Sequence, residues 1–185
     1  DVFLVTTSRL VEKNATSDVI KALVHLPEHI KFLVIGGGPL ERELHKLARD
    51  VGVEKRVIFM GEIVNRELPR YLKISDIFVR PSLSEGMGNS FVEAMAAGVP
   101  VIGTQEGGIK DFLFDPELNP DKAPTGRAIP TRSPKEIARQ VNEYLNNPEM
   151  TKTIVQNAKS LVEKRHDWNS IALTMKEKVF DKLTK

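Results

Sequence analysis

The sequence predicts a doubly wound parallel α/β domain of the Rossmann-like kind, and three observations carry that expectation. Short β-branched and aromatic runs alternate with amphipathic stretches along most of the chain. The runs are too apolar to leave one face wet, as strands covered on both sides require. Glycine-containing turns follow several of them, where such sheets receive ligands.

The strand candidates are 2–7, 31–36, 56–61, 76–81, 100–104 and 126–129. Between the first two, 15–26 places Val19, Ile20, Leu23, Val24 and Leu26 near helical spacing; 40–51 repeats this with Leu40, Leu44, Leu47, Ala48 and Val51. Both helices are expected to cover the sheet through right-handed crossovers. Segment 115–125 holds Pro116, Pro120 and Pro124 without apolar periodicity and reads as a surface excursion. After Pro134 the pattern is helical throughout, with breaks near Pro148 and Asp167. No internal repeat or low-complexity tract interrupts this order.

The 185 residues fit one domain, 1–185, able to bury a core without staples. The chain opens in an apolar run, Asp1-Val2-Phe3-Leu4-Val5, as a cut through a longer polypeptide would, and no run is long enough to span a bilayer. A net charge of +2 from 27 basic and 25 acidic residues gives no general nucleic-acid surface. With no cysteine there is no disulfide, thiolate site or thiol chemistry, which suits the cytoplasm; a peripheral contact with the inner membrane surface stays open. None of His25, His29, His45 and His166 pairs with another at metal-ligand spacing, so neither metal nor cofactor is expected.

The residues just after each strand are Ser8-Arg9, Gly36-Gly37-Gly38, Gly61-Glu62-Ile63, 82–89 and 104–108. The richest is Ser84-Glu85-Gly86-Met87-Gly88-Asn89-Ser90, a glycine loop leading into a short helix. Gly86 and Gly88 allow a tight turn and a close ligand approach. Gly88, Asn89 and Ser90 then present the unpaired amides and positive dipole end of a helix, a site suited to phosphate. Glu85 and Glu93 frame this loop and can address different parts of one ligand. Ser90-Phe91-Val92-Glu93 also has the form of a capping box, in which Glu93 would only bond the Ser90 amide. The Gly36-Gly37-Gly38 turn lacks the spaced third glycine of a dinucleotide fingerprint and is explained as a tight turn before a helix.

The Glu85, seven residues, Glu93 pattern, with Gly86-Met87-Gly88 and 91–102 around it, resembles the signature of retaining glycosyltransferases of the two-domain GT-B type, especially their large family four. Thr7-Ser8-Arg9-Leu10-Val11-Glu12-Lys13, Val34-Ile35-Gly36-Gly37-Gly38-Pro39, Phe59-Met60-Gly61 and Gly107-Gly108 extend the likeness in order. The resemblance implies the C-terminal half of a GT-B fold, binding a nucleoside-diphosphate sugar along the strand ends without a metal. It puts Glu93 on the ribose hydroxyls, Glu85 on hydroxyls of the transferred sugar, Arg9 on the diphosphate, and main chain at Glu62 and Ile63 on the base, with Gly37 beside it. Such families carry Lys-Gly five and six residues after the arginine; here Asn14 and Ala15 stand there, and Lys13 is the nearest substitute. Arg165-His166-Asp167-Trp168 resembles the family's closing motif, implying that about 166–185 form a helix packing back on an N-terminal, acceptor-binding domain of the same polypeptide, while one aromatic packed on the core would explain Trp168 equally. The implied partners are therefore a nucleotide sugar and that domain, and the isolated chain is expected to bind donor but not turn over. Two alternatives stay open: a GT-B epimerase, and a nucleotide-sugar-binding module without catalysis. Replacing Arg9 or Glu85 in the full-length protein separates them, since a transferase loses turnover and a module only affinity.

Overall fold

The computed structural model describes residues 1–183. Six strands form one parallel sheet: β1 (Val2–Thr7), β2 (Ile30–Ile35), β3 (Val57–Gly61), β4 (Ile77–Arg80), β5 (Val101–Gly103) and β6 (Arg127–Ala128). Their order is β3-β2-β1-β4-β5-β6. Strands 1 to 3 are laid outward in one direction and strands 4 to 6 in the other, so the order reverses between β1 and β4. At such a switch point the connections leave in opposite directions and open a crevice beyond the strand ends.

Alternation along each strand fills both faces. Leu4, Ile77 and Val79 belong to a core beneath α1 (Thr16–Ala22), α2 (Glu41–Asp50) and α5 (Pro134–Asn146). Their neighbours Val5 and Phe78 point the other way, into a second core with α4 (Asn89–Ala96) and α6 (Pro148–His166). Phe91 and Met95 of α4 are at most 1% exposed, and Phe91 meets Phe78 edge-on at 5.1 Å. Burying two such side chains contributes about 1.5–3 kcal/mol each, which fixes α4 against the sheet.

The expected strands are all present: β1 has the expected bounds, β2 lies one residue earlier, and β3 to β6 are trimmed at their ends. The helix expected over 15–26 stops at Ala22 and finishes as a 3₁₀ turn, Leu23–His25; Leu26 is extended because Pro27 disfavours helix before it. A helix the sequence reading missed, α3 (Leu68–Lys73), joins β3 to β4 and is only six residues long, too short to show a period. The 115–125 excursion is tied down at its ends: Asp115 is buried and its carboxylate accepts from the amides of Glu117 and Ala128, both at 2.8 Å.

The breaks at Pro148 and Asp167 fall as expected. His166 closes α6, so the last helix, α7 (Trp168–Met175), starts at Trp168 rather than 166, with Asp167 Oδ2 accepting from the Ser170 amide at 2.8 Å. It continues through a π-helical turn to Leu183; residues 184 and 185 of the expected helix lie outside the described residues. Trp168 is 81% exposed, which rules out its packing on the core of this chain.

Candidate functional site

The crevice at the switch point is built by backbones that touch. Gly36 has φ +125°, and a Cβ there would lie 2.0 Å from the Ser8 carbonyl oxygen. Only glycine lets the turn after β2 press on the end of β1, where the Leu10 amide donates to Gly37 O at 2.9 Å. Across the switch, the Leu83 amide donates to Lys13 O at 2.7 Å and joins the loops that follow β1 and β4. On the far side, Gly107 (φ +57°) would place a Cβ 1.8 Å from Glu85 O, and the Gly108 amide donates to Gly86 O at 2.8 Å. The glycine loop is thus clamped from two directions.

A cleft of about 400 Å³ lies at the strand ends, lined among others by Thr7, Ser8, Arg9, Gly37, Glu62, Ile63, Ser90 and Glu93. Seven residues singled out by sequence face one or the other of two adjoining cavities: Arg9, Gly37, Glu62, Ile63, Ser90 and Glu93 face this one. Lys13 lines the neighbouring cavity of about 650 Å³, whose wall again includes Ser8 and Arg9. Glu85, Gly88 and Asn89 line neither.

The start of α4 carries no side-chain cap. Gly88, in the left-handed conformation at φ +74°, is the N-cap, so Ser90 is already the second helical residue and the capping box does not form. Ser90 Oγ instead accepts from Arg80 Nη1 at 2.5 Å. Glu93 stands one turn beyond Asn89, the first helical residue, about 6 Å along the axis. Desolvation by its neighbours raises its carboxyl above the ordinary range.

Glu85 faces inward. Its side chain is 7% exposed, and Oε1 is ion-paired with Arg80 Nη2 and accepts from Ser82 Oγ at 3.1 Å. Arg9 and Lys13 are exposed, and neither has an acidic partner among the described residues. Sequence reasoning missed Arg80, because a charged residue ending a strand reads as the solvent end, and Thr7, whose Oγ1 is buried without a hydrogen-bond partner, as is Ser8 Oγ. Such orphaned hydroxyls at a cleft floor are the groups a polar ligand would satisfy.

A larger cavity, about 950 Å³, lies elsewhere, between α6 and 110–125, with Lys110, Lys122, Lys164 and Arg165 on its walls. It has neither a strand switch nor a glycine loop. Among the described residues no helix is long and apolar enough to cross a membrane.

The model of the family described as glycosyl transferases group 1 matches residues 1–161. The chain belongs to this family. Among its relatives, a GDP-mannose-dependent alpha-(1-6)-phosphatidylinositol monomannoside mannosyltransferase of Mycobacterium tuberculosis is 30% identical over 179 residues, covering 91% of this chain and 45% of that protein. The chain therefore spans less than half the length of the curated relatives it matches. Among solved structures, sucrose-phosphate synthase from Thermosynechococcus elongatus superposes with a TM-score of 0.86 at 25% identity, over all of this chain and 46% of that one. Anabaena Alr3699/HepE in complex with UDP and glucose superposes at 0.84 with 24% identity, over all of this chain and 48% of that one. A C-terminal domain of a group 1 protein (LpcC) from Francisella tularensis superposes at 0.78 with 24% identity, covering 90% of this chain and 87% of that domain. The fold is the C-terminal half of a GT-B glycosyltransferase.

Proposed function

We propose that this chain is the donor-binding half of a retaining glycosyltransferase that takes a nucleoside-diphosphate sugar without a metal. One observation carries the reading: the crevice at the β1/β4 switch gathers Arg9, without an acidic partner among the described residues, an uncapped helix start and a carboxylate one turn beyond it. Each element suits one part of the ligand. Free amides at Asn89 and Ser90, with the helix dipole behind them, take the diphosphate. Glu93 accepts from the ribose hydroxyls, one helical turn being the span from a phosphate to the far hydroxyls of its own ribose. Main chain at Glu62 and Ile63 takes the base.

Breaking the bond between sugar and diphosphate leaves negative charge on the departing phosphate. Arg9, with Lys13 beside it, faces that charge; a fixed cation at a developing charge contributes several kcal/mol in order of magnitude. With Glu85 Oε1 held by Arg80 and Ser82, its contact with a sugar hydroxyl falls to Oε2. The acceptor is assigned to an N-terminal domain of the same polypeptide, and catalysis to closure of the cleft between the two. The mannosyltransferase named above uses GDP-mannose and the HepE structure holds UDP, which supports the ligand class and leaves the base and sugar open.

Calorimetry on this chain with UDP, GDP, ADP and their sugars tests binding, and Arg9→Ala in the full-length protein tests chemistry. We expect nucleotide binding by the chain alone and a loss of kcat of at least tenfold in the variant. A variant that loses only affinity would support a binding module instead.

A further inference from the structure

Arg80 closes β4 with a side chain only 11% exposed, yet it lies on the wall of the cavity shared by Arg9 and Lys13. Three fastenings hold it. Nη1 donates to Ser90 Oγ at 2.5 Å, Nη2 donates to Asn14 Oδ1 at 3.0 Å, and Nη2 is ion-paired with Glu85 Oε1. Asn14 is itself buried, and its Nδ2 donates to Arg9 O at 2.6 Å. Among the described residues, each hydrogen-bond or ion-pair partner of the Arg80 side chain therefore belongs to a segment at the crevice: the Arg9 loop, the glycine loop or the first turn of α4.

Stability does not explain this arrangement. Arg80 Nε is buried with no hydrogen-bond partner, and a buried ion pair contributes little net stability compared with well-packed apolar side chains. Burial lowers the guanidinium's pKa while Glu85 opposes the shift, but a guanidinium stays charged, so the cation persists beside a carboxylate that offsets part of its charge, and it acts at short range through its fixed N–H groups. Lys13 lies on an exposed, flexible stem, whereas Arg80 is fixed before any ligand arrives and needs no reorganisation.

We propose that Arg80 is a third cation of the diphosphate site, fixed behind Ser90 and Asn14, and that it also sets the spacing between the Arg9 loop and the start of α4. This inference rests on the donor-binding reading above.

The test uses this chain with UDP and GDP, and with uridine and guanosine as phosphate-free controls, by calorimetry. Arg80→Met strands Glu85 as a buried charge, so it is measured beside Arg80→Met/Glu85→Gln, which removes the pair together. Both variants should bind the diphosphates roughly tenfold to a hundredfold more weakly, the range set by hydrogen bonds to a charged group. Nucleoside affinity should change less than about twofold, and Arg80→Lys should recover part of the diphosphate loss. Equal losses for nucleoside and diphosphate, or full diphosphate affinity in the double variant, would overturn the inference alone. A wild-type chain that binds none of UDP, GDP and ADP would overturn the donor-binding reading and this inference with it.

Discussion

Replacing Glu93 with alanine should weaken nucleoside-diphosphate binding by roughly tenfold while leaving the fold intact. Alanine is the better helix former, and the Glu93 side chain makes no hydrogen bond or ion pair within the described residues while its carbonyl keeps the Ala97 amide, so α4 loses nothing by the change. A hydrogen bond to a charged acceptor is worth about 1.5–3 kcal/mol, and the open position of Glu93 puts it at the lower end, hence about tenfold in Kd. A double cycle isolates the cause: the loss should appear with a ribonucleotide and nearly vanish with its 2′,3′-dideoxy analogue. The pH dependence follows from the raised carboxyl. Ribose hydroxyls donate to the ionised form, so binding pulls the Glu93 pKa down, and affinity should fall as pH drops through its raised free value. The alanine variant should lack that fall. Equal losses with the ribose and dideoxy ligands would refute the assignment of Glu93 to the sugar ring of the nucleotide.

Gly107→Ala should destabilise the chain well beyond Gly98→Ala. Both residues have positive φ, costing about 1–2 kcal/mol for a side chain, but a Cβ at Gly98 meets open space while one at Gly107 lies 1.8 Å from Glu85 O. Similar shifts in denaturant midpoint would show that the glycine loop yields freely. Trp168→Ala should change the stability of this chain by no more than about 0.5 kcal/mol, the tryptophan being 81% exposed; a loss several times larger in chemical denaturation would mean that α7 packs on its own domain.

Much of this was legible in the sequence, for identifiable reasons. Strands such as Val2–Thr7 are buried on both faces and read as continuous apolar runs, so the parallel sheet and its strand ends followed from pattern alone. Arg9 and Glu93 could be found because a strand-end rule and a glycine loop point at them. The capping box misled because a left-handed Gly88 starts the helix two residues before Ser90, and backbone handedness leaves no trace in a tetrapeptide. Arg80 was invisible for a related reason: its partners Asn14, Glu85 and Ser90 come together only once β1 and β4 are paired. The inward turn of Glu85 has the same origin, since that carboxylate answers a cation the sequence did not mark.

Backbone amide NMR of the labelled chain titrated with UDP and with GDP reads the seat of the diphosphate directly. Shifts should gather at Ser8, Arg9, Asn89, Ser90 and Glu93, around the β1/β4 switch. Shifts confined to the wider basic groove of Lys110, Lys122, Lys164 and Arg165 would contradict the account.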